Sequence, residues 1–306
     1  MTASLLNTLI ALHQFSPLLV ELVDYLAKSV FIFILVFSIN KLFKELLDAT
    51  TKHLLWSCLV FTIALIPLLP HVTLDGQSTA NLDASIDIFS TTLLQDSSPS
   101  AATATEPKQA FLANWLPSPW LLILLPTLYL LTTLLISMLR VIVLSRQATL
   151  NTDLKLIVKI GLLRRKLNIS RRVVLKFSDT VATPLSFGLI RPEIILPSNA
   201  KDLDNATLDS VLVHELSHIK RLDWLTVILA YIASSIAWFN PVLWYGLKRM
   251  RCIAEDACDD EVLRQGRSSA EYAHDLIEIA HRYKDAQELV HTQNIVAPGS
   301  FKHRIQ

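Results

Sequence analysis

Between Val211 and Trp224 the chain reads VLVHELSHIKRLDW, and in it His214, Glu215 and His218 have types and spacing that can do chemistry. Four residues of α-helix amount to about 400° of rotation and 6 Å of rise, so the two imidazoles face the same way one turn apart and can share one Zn²⁺. Glu215 lies beside them. From there a carboxylate can take a proton from a water polarised by the metal and later pass it to a leaving amine. A catalytic zinc usually has three protein ligands, so two histidines leave one to find. The segment RCIAEDACDDE, Arg251 to Glu261, offers it. Glu255 and Asp259 stand four apart and share a helix face. Glu255 is expected as the third ligand, with Asp259 behind a ligand histidine, fixing its tautomer. Cys258, three residues on from Glu255, is read as packing.

The elements that must hold this group belong to an unusually apolar chain. Of 306 residues 52% are hydrophobic and 18% charged, which excludes an ordinary soluble enzyme or a disordered chain and indicates a membrane protein. A net charge of +1 gives no global field for nucleic acid, and three cysteines without a CxxC spacing make no disulfide framework. Three stretches, about Leu18 to Phe43, Leu54 to Pro70 and Pro119 to Leu144, are expected to span the bilayer. No Lys or Arg precedes Lys28, so the N-terminus is expected to be retained and not cleaved as a signal peptide. Residues about 71–117 carry Lys108 against Asp75, Asp83, Asp87, Asp96 and Glu106 and are expected to form an external loop. The basic residues run instead from Arg140 to Lys176, which sets that side as cytoplasmic and the N-terminus outside, in a multi-pass protein of the inner (plasma) membrane. The cluster from Arg164 to Lys176 is read as a topology determinant or a contact with the lipid bilayer, and no direct nucleic-acid partner is expected.

This divides the chain into a membrane domain, residues 1–144, and a cytoplasmic zinc-peptidase domain, residues 145–306. In the second, Leu154 to Leu167 reads as an amphipathic helix, Val173 to Phe177 and Leu185 to Leu196 as extended, and Asn205 to Lys220 as helix again. Between the two metal-binding segments lies an apolar run from Leu225 to Leu247. A single crossing would strand Glu255 on the far face, and Asn240-Pro241 interrupts the run. A membrane-embedded hairpin over about 224–247 is therefore expected. The extended stretch Leu185 to Pro197 could offer an edge strand to a peptide or serve as plain core strand.

HELSHIKRLDW, Trp238 to Tyr245 (WFNPVLWY), EDACD and PLSFGLIRPEIILP together resemble the BlaR/MecR-type antirepressor membrane metallopeptidases, a gluzincin family with HExxH. The resemblance implies an α-helical integral membrane protein with a cytoplasmic α+β gluzincin zinc-metallopeptidase domain. It implies one Zn²⁺ per chain at His214, His218 and Glu255, with Glu215 as general base. Its implied substrate is a protein or peptide, in the best-known members a transcriptional repressor or the protease itself, cut when an external sensor domain binds a β-lactam. The chain carries no SDN or KTG sequence of the penicillin-binding kind, so no β-lactam sensor is expected in it. An oxyanion stabiliser of the gluzincin sort is to be sought among Arg264, Arg267, Tyr272, His274, His281 and His291. A quality-control membrane protease and a non-catalytic zinc-binding scaffold are the other readings. The intact Glu215 argues against the scaffold. The sequence leaves the oligomeric state open, a homodimer included.

Overall fold

Two apolar runs continue as helices long enough to cross a bilayer. In the structure, a computed structural model, residues 2–68 and 119–287 are described, with side chains for 22–67 and 124–279. The expected external loop lies outside those residues. Helix α1 spans Thr2–Leu42 and contains the apolar segment Leu22–Leu42; α3 spans Pro119–Gln147 and contains Leu124–Gln147. Each of these segments leaves most of its surface uncovered, Phe31, Ile34, Leu128 and Tyr129 among it, as lipid-facing helices do. Between them α2, Ala49–Leu65, is capped by Asp48, whose carboxylate accepts from Thr51 N at 3.2 Å. The expected second span, Leu54 to Pro70, is thus shifted five residues towards the N-terminus, and its 17 residues reach about 26 Å. Its buried face turns to protein.

That protein face is a helical hairpin. Helix α6 (Asp223–Ile236) and helix α7 (Pro241–Arg264) are separated where the sequence places Asn240-Pro241. Asn240 Oδ1 accepts from Val242 N at 3.0 Å, and Pro241 sits at the first helical position, where its missing N–H costs nothing. Trp56, Leu59, Val60 and Ile63 of α2 are at most 1% exposed and pack with Ala230, Ala233, Leu243, Leu247 and Met250. The helices approach closely at Gly246, where an added Cβ would meet Val60 Cγ2 at 3.0 Å and Leu59 Cδ2 at 3.1 Å.

The remaining elements build a small mixed sheet backed by helices. Helix α4 (Leu154–Lys166) matches the amphipathic segment, and β2 (Val174–Ser178) matches the first extended one. The stretch Leu185 to Leu196 is not continuous. It forms β3 (Leu185–Phe187) and β4 (Glu193–Pro197), antiparallel, with Ser186 opposite Ile194. Gly188 makes the break: its φ of +97° suits glycine, and a Cβ there would lie 3.1 Å from Arg191 O. β4 runs parallel to β2, and β1 (Thr149–Leu150), too short to be read from sequence, closes the far side; the order is β1-β2-β4-β3.

β4 is buried on both faces, which accounts for its continuous apolar run. Ile194 and Leu196 join Leu175 and Phe177 against Leu208, Leu212, Leu216 and Ile219 of α5 (Asn205–Arg221). Ile195 faces the other way, with Leu185, Phe187 and Val141 from the end of α3. Beside it Lys176 Nζ donates to Glu193 Oε2 at 2.7 Å and to Ser145 Oγ at 2.8 Å, tying α3 to the sheet through a half-buried polar cluster. Helix α8 (Ser269–Gln287) packs on α5 and α7. By its contacts the chain divides into two units, Met1–Ile66 with Leu124–Gln306, and Pro67–Ile123; all that follows lies in the first.

Candidate metal centre

Helix α5 is fixed at both ends before any chemistry is added. Asp204 caps its start, accepting from Ala206 N and Thr207 N, each at 3.1 Å. The apolar stripe seated on the sheet fixes the rotation of the helix about its axis. That rotation turns His214 and Glu215 inward, 6% and 7% exposed.

The helix stops at Leu222, whose φ of 63° and ψ of 32° are left-handed, an uncommon state for a side chain of this size. The chain changes direction there and α6 begins at once. α6 runs 14 residues outward, about 21 Å, and α7 returns by nearly the same length from Pro241 to Glu255. The hairpin thereby brings Glu255 back to the level of His218.

The ligand atoms converge closely. His214 Nε2 and His218 Nε2 are 3.2 Å apart, Glu255 Oε2 is 3.4 Å from the first, and Glu255 Oε1 is 3.6 Å from the second. A tetrahedral ion with ligands at about 2.0–2.2 Å sets those ligands about 3.3–3.6 Å from one another. The other ring nitrogens are also engaged: His218 Nδ1 lies 2.7 Å from Asp223 Oδ2, and His214 Nδ1 lies 3.1 Å from Asp259 Oδ1. A neutral imidazole that donates at Nδ1 presents a lone pair at Nε2. With both rings neutral, two Nε2 lone pairs and the Glu255 carboxylate would face one point, and that set fits a divalent metal, whose binding would displace any proton held at Nε2.

The surroundings are built from charged groups with partners. Arg221 Nε donates to Asp223 Oδ1 at 3.2 Å, and Nη2 donates to Asp223 Oδ2 at 2.5 Å and to Ala254 O at 2.6 Å. Burial pushes the Asp223 carboxyl up, but the His218 and Arg221 bonds outweigh it and hold it below the usual range. For His218 burial acts downward, and Cys258, Glu255 and Asp223 together raise its pKa well above the ordinary histidine value. Tyr272 donates its hydroxyl to Asp259 Oδ1 at 2.7 Å.

Cys258 belongs to this cluster, so its reading as mere packing was too narrow. Its Sγ accepts from Arg221 Nη2 at 3.2 Å. The ligand atoms of His214, His218 and Cys258 lie within 4.8 Å of one another, so this group too could hold a metal ion. The thiol is fully buried, which pushes its pKa up against the pull of His218 and Arg221. Asp223 and Arg221 are the site residues that sequence reasoning missed, though both stand in the HELSHIKRLDW run. Of the residues considered for oxyanion stabilisation, Tyr272 is engaged with Asp259, Arg264 with Glu261 and Arg267 with Asp275, while His274 is exposed. The His281 side chain and His291 lie outside the described residues.

A groove beside the site is lined by Ser186, Phe187 and Gly188 on one side and by His218, Leu222 and Trp224 on the other. β3, which supplies the first three, is an edge strand paired only to β4 in this sheet.

Comparison with known proteins gives one family: a model described as BlaR1 peptidase M56 matches residues 21–306. The regulatory protein BlaR1 of Bacillus licheniformis is 35% identical over 101 residues, 33% of this chain and 17% of that protein. The methicillin resistance mecR1 proteins of Staphylococcus aureus and Staphylococcus epidermidis are each 30% identical over 95 residues, 31% of this chain and 16% of theirs. The matched segment thus covers less than a fifth of each of these relatives.

Proposed function

We propose, because the chain belongs to the BlaR1 peptidase M56 family, that it is an integral-membrane zinc endopeptidase acting in signal-regulated proteolysis. The observation that carries this reading is the convergence of His214 Nε2, His218 Nε2 and the Glu255 carboxylate at tetrahedral separations. His214, His218 and Glu255 would hold the metal, with Asp223 and Asp259 orienting the two rings from behind. When bound, zinc supplies Lewis acidity, lowering the pKa of a water and polarising a carbonyl. Glu215 is the group left over for proton work. Its carboxylate accepts the proton of the attacking water and delivers it to the amide nitrogen as the C–N bond breaks, so water's O–H and the peptide C–N are exchanged for an acid and an amine. A structural zinc site would need no such neighbour.

The substrate class follows from β3. An extended peptide laid along this edge would take main-chain hydrogen bonds from the strand and run past His218 through the groove. The names of the relatives, a regulatory protein and resistance proteins, support a cytoplasmic regulator such as a transcriptional repressor as the target, with self-cleavage as the other outcome. The basic residues after α3 support a cytoplasmic site.

The test is Glu215→Gln in detergent-purified protein beside wild type. The expected result is about one zinc per chain in both, with cleavage of a candidate repressor at least about 100-fold slower in the variant. Cleavage at the wild-type rate by the variant would sink the proposal.

A further inference from the structure

The buried imidazole of His53, on α2, has no place in the chemistry above. It is 7% exposed, its Nε2 has no hydrogen-bond partner among the described residues, and that atom lies 3.8 Å from Asp223 Oδ1. Asp223 is the carboxylate behind His218. Its Oδ2 takes His218 Nδ1 and Arg221 Nη2, and its Oδ1 takes Arg221 Nε and also faces His53. The chain therefore sets a second histidine against the group that orients a metal ligand, and brings it from a helix at the opposite end of the sequence.

The position of that histidine is not free to drift. One to three turns along α2, Trp56, Leu59, Val60 and Ile63 are clamped against α6 and α7, and the close approach at Gly246 locks the register. α6 begins with Asp223 and α7 carries Glu255, so one helix touches both elements that complete the site.

We infer that His53 is a positioning residue: it steadies Asp223 for His218, and through it the seating of α2 sets how firmly the metal is held. Resting on the peptidase reading above, this assigns to the N-terminal helices a role in regulating the same site. A movement of α2 that withdraws His53 loosens Asp223, and one that presses it inward tightens the His218 ring. Outer partners of metal-ligating histidines typically change metal affinity by about 10- to 100-fold. His53 acts one group further out, so the low end of that range applies.

The test uses full-length protein loaded with zinc, and with cobalt for its visible absorption. Zinc release to a chromogenic chelator is measured for wild type, His53→Ala, His53→Gln, Asp223→Asn, and His53→Ala with Asp223→Asn; Ile160→Ala, on α4 and away from α2, serves as a packing control. The expected result is release about tenfold faster in His53→Ala with an altered cobalt spectrum, and near wild-type behaviour in His53→Gln, whose amide can meet Asp223. Ile160→Ala should melt earlier yet keep the wild-type spectrum and release rate in its folded fraction. In the Asp223→Asn background His53→Ala should add nothing, since its effect passes through that carboxylate. Wild-type release from His53→Ala, equal effects from Ile160→Ala, or full additivity with Asp223→Asn would each overturn the inference while leaving the peptidase reading intact. A wild-type chain that takes up no metal would overturn both.

Discussion

Helix α5 meets a buried carboxylate near each end, and the two are treated in opposite ways. Towards its start, Asp275 from α8 is fully buried and saturated with donors: Thr207 Oγ1 at 2.9 Å, Ser210 Oγ at 2.7 Å, Arg267 Nε at 2.9 Å and Arg267 Nη2 at 2.6 Å. Every strong acceptor direction there is matched, and the result is a weld between two helices. Towards its end, Glu255 is also buried, 5% exposed, but faces the Nε2 atoms of two imidazoles whose Nδ1 atoms are turned to other carboxylates. The first carboxylate is matched within the fold, whereas the second stands where His214, His218 and Glu255 could together hold a divalent ion, so the two ends of α5 are a structural weld and a candidate metal site.

The sharpest way to break this contrast is to exchange the insults. His218→Ala is expected to abolish stoichiometric metal retention, the largest effect of any substitution considered, because only two ligands remain. Asp275→Ala should leave metal content at one per chain while lowering stability by about 3 kcal/mol, the cost of stranding two buried hydroxyls and an ion pair. Metal analysis alongside chemical denaturation checks both. If Asp275→Ala emptied the site, or His218→Ala cost only stability, the two ends of α5 would not be separate devices.

Acid sharpens the same comparison with a smaller effect. Burial raises the Asp275 carboxyl, but the bonds from Arg267, Ser210 and Thr207 prevail and hold its pKa below the ordinary aspartate value. The folded state therefore releases this proton more readily than the unfolded state does. The stabilisation is fully present above the unfolded pKa of about 3.9 and is lost as pH falls through the lower folded value. Between pH 7 and 5 the gap in thermal stability between wild type and Asp275→Asn should stay constant, and below about pH 4 it should close. A gap that persists to pH 2 would mean that the carboxylate's charge is not what joins α5 to α8.

The candidate metal end is also the more legible of the two. His214, Glu215 and His218 announce themselves because a helix converts a spacing of four into a shared face; Glu255 comes from the acidic run Arg251 to Glu261, and its return to that face requires the break at Asn240-Pro241. Asp223 does not announce itself, for a geometric reason: five residues beyond His218 on a straight helix, it would point about 140° away. Only the left-handed Leu222 swings it back. The welded end left no local trace, since Thr207 and Ser210 are ordinary residues for the start of a helix and their partner lies 65 to 68 positions on. His53 was hidden likewise by distance along the chain. The division of the sheet strand turned on one glycine, Gly188, whose positive φ no hydrophobic pattern records.

Leu222 supplies the finest test, because it asks whether the turn that makes the metal end is held by its backbone or by its side chain. A left-handed residue with a Cβ costs about 1–2 kcal/mol, and glycine would relieve that while losing about 0.5–1 kcal/mol to the freedom of the unfolded chain. The side chain lines the groove beside His218 and is only partly buried, so its removal costs less than a core leucine's. These terms nearly cancel, and Leu222→Gly is expected to shift stability by less than about 1 kcal/mol while keeping the cobalt spectrum of wild type. Leu222→Val keeps the strain and adds branching at Cβ, so it should be the less stable of the two. If glycine there loosened the metal while valine did not, the side chain of Leu222, and not the left-handed turn, would be what seats Asp223 behind His218.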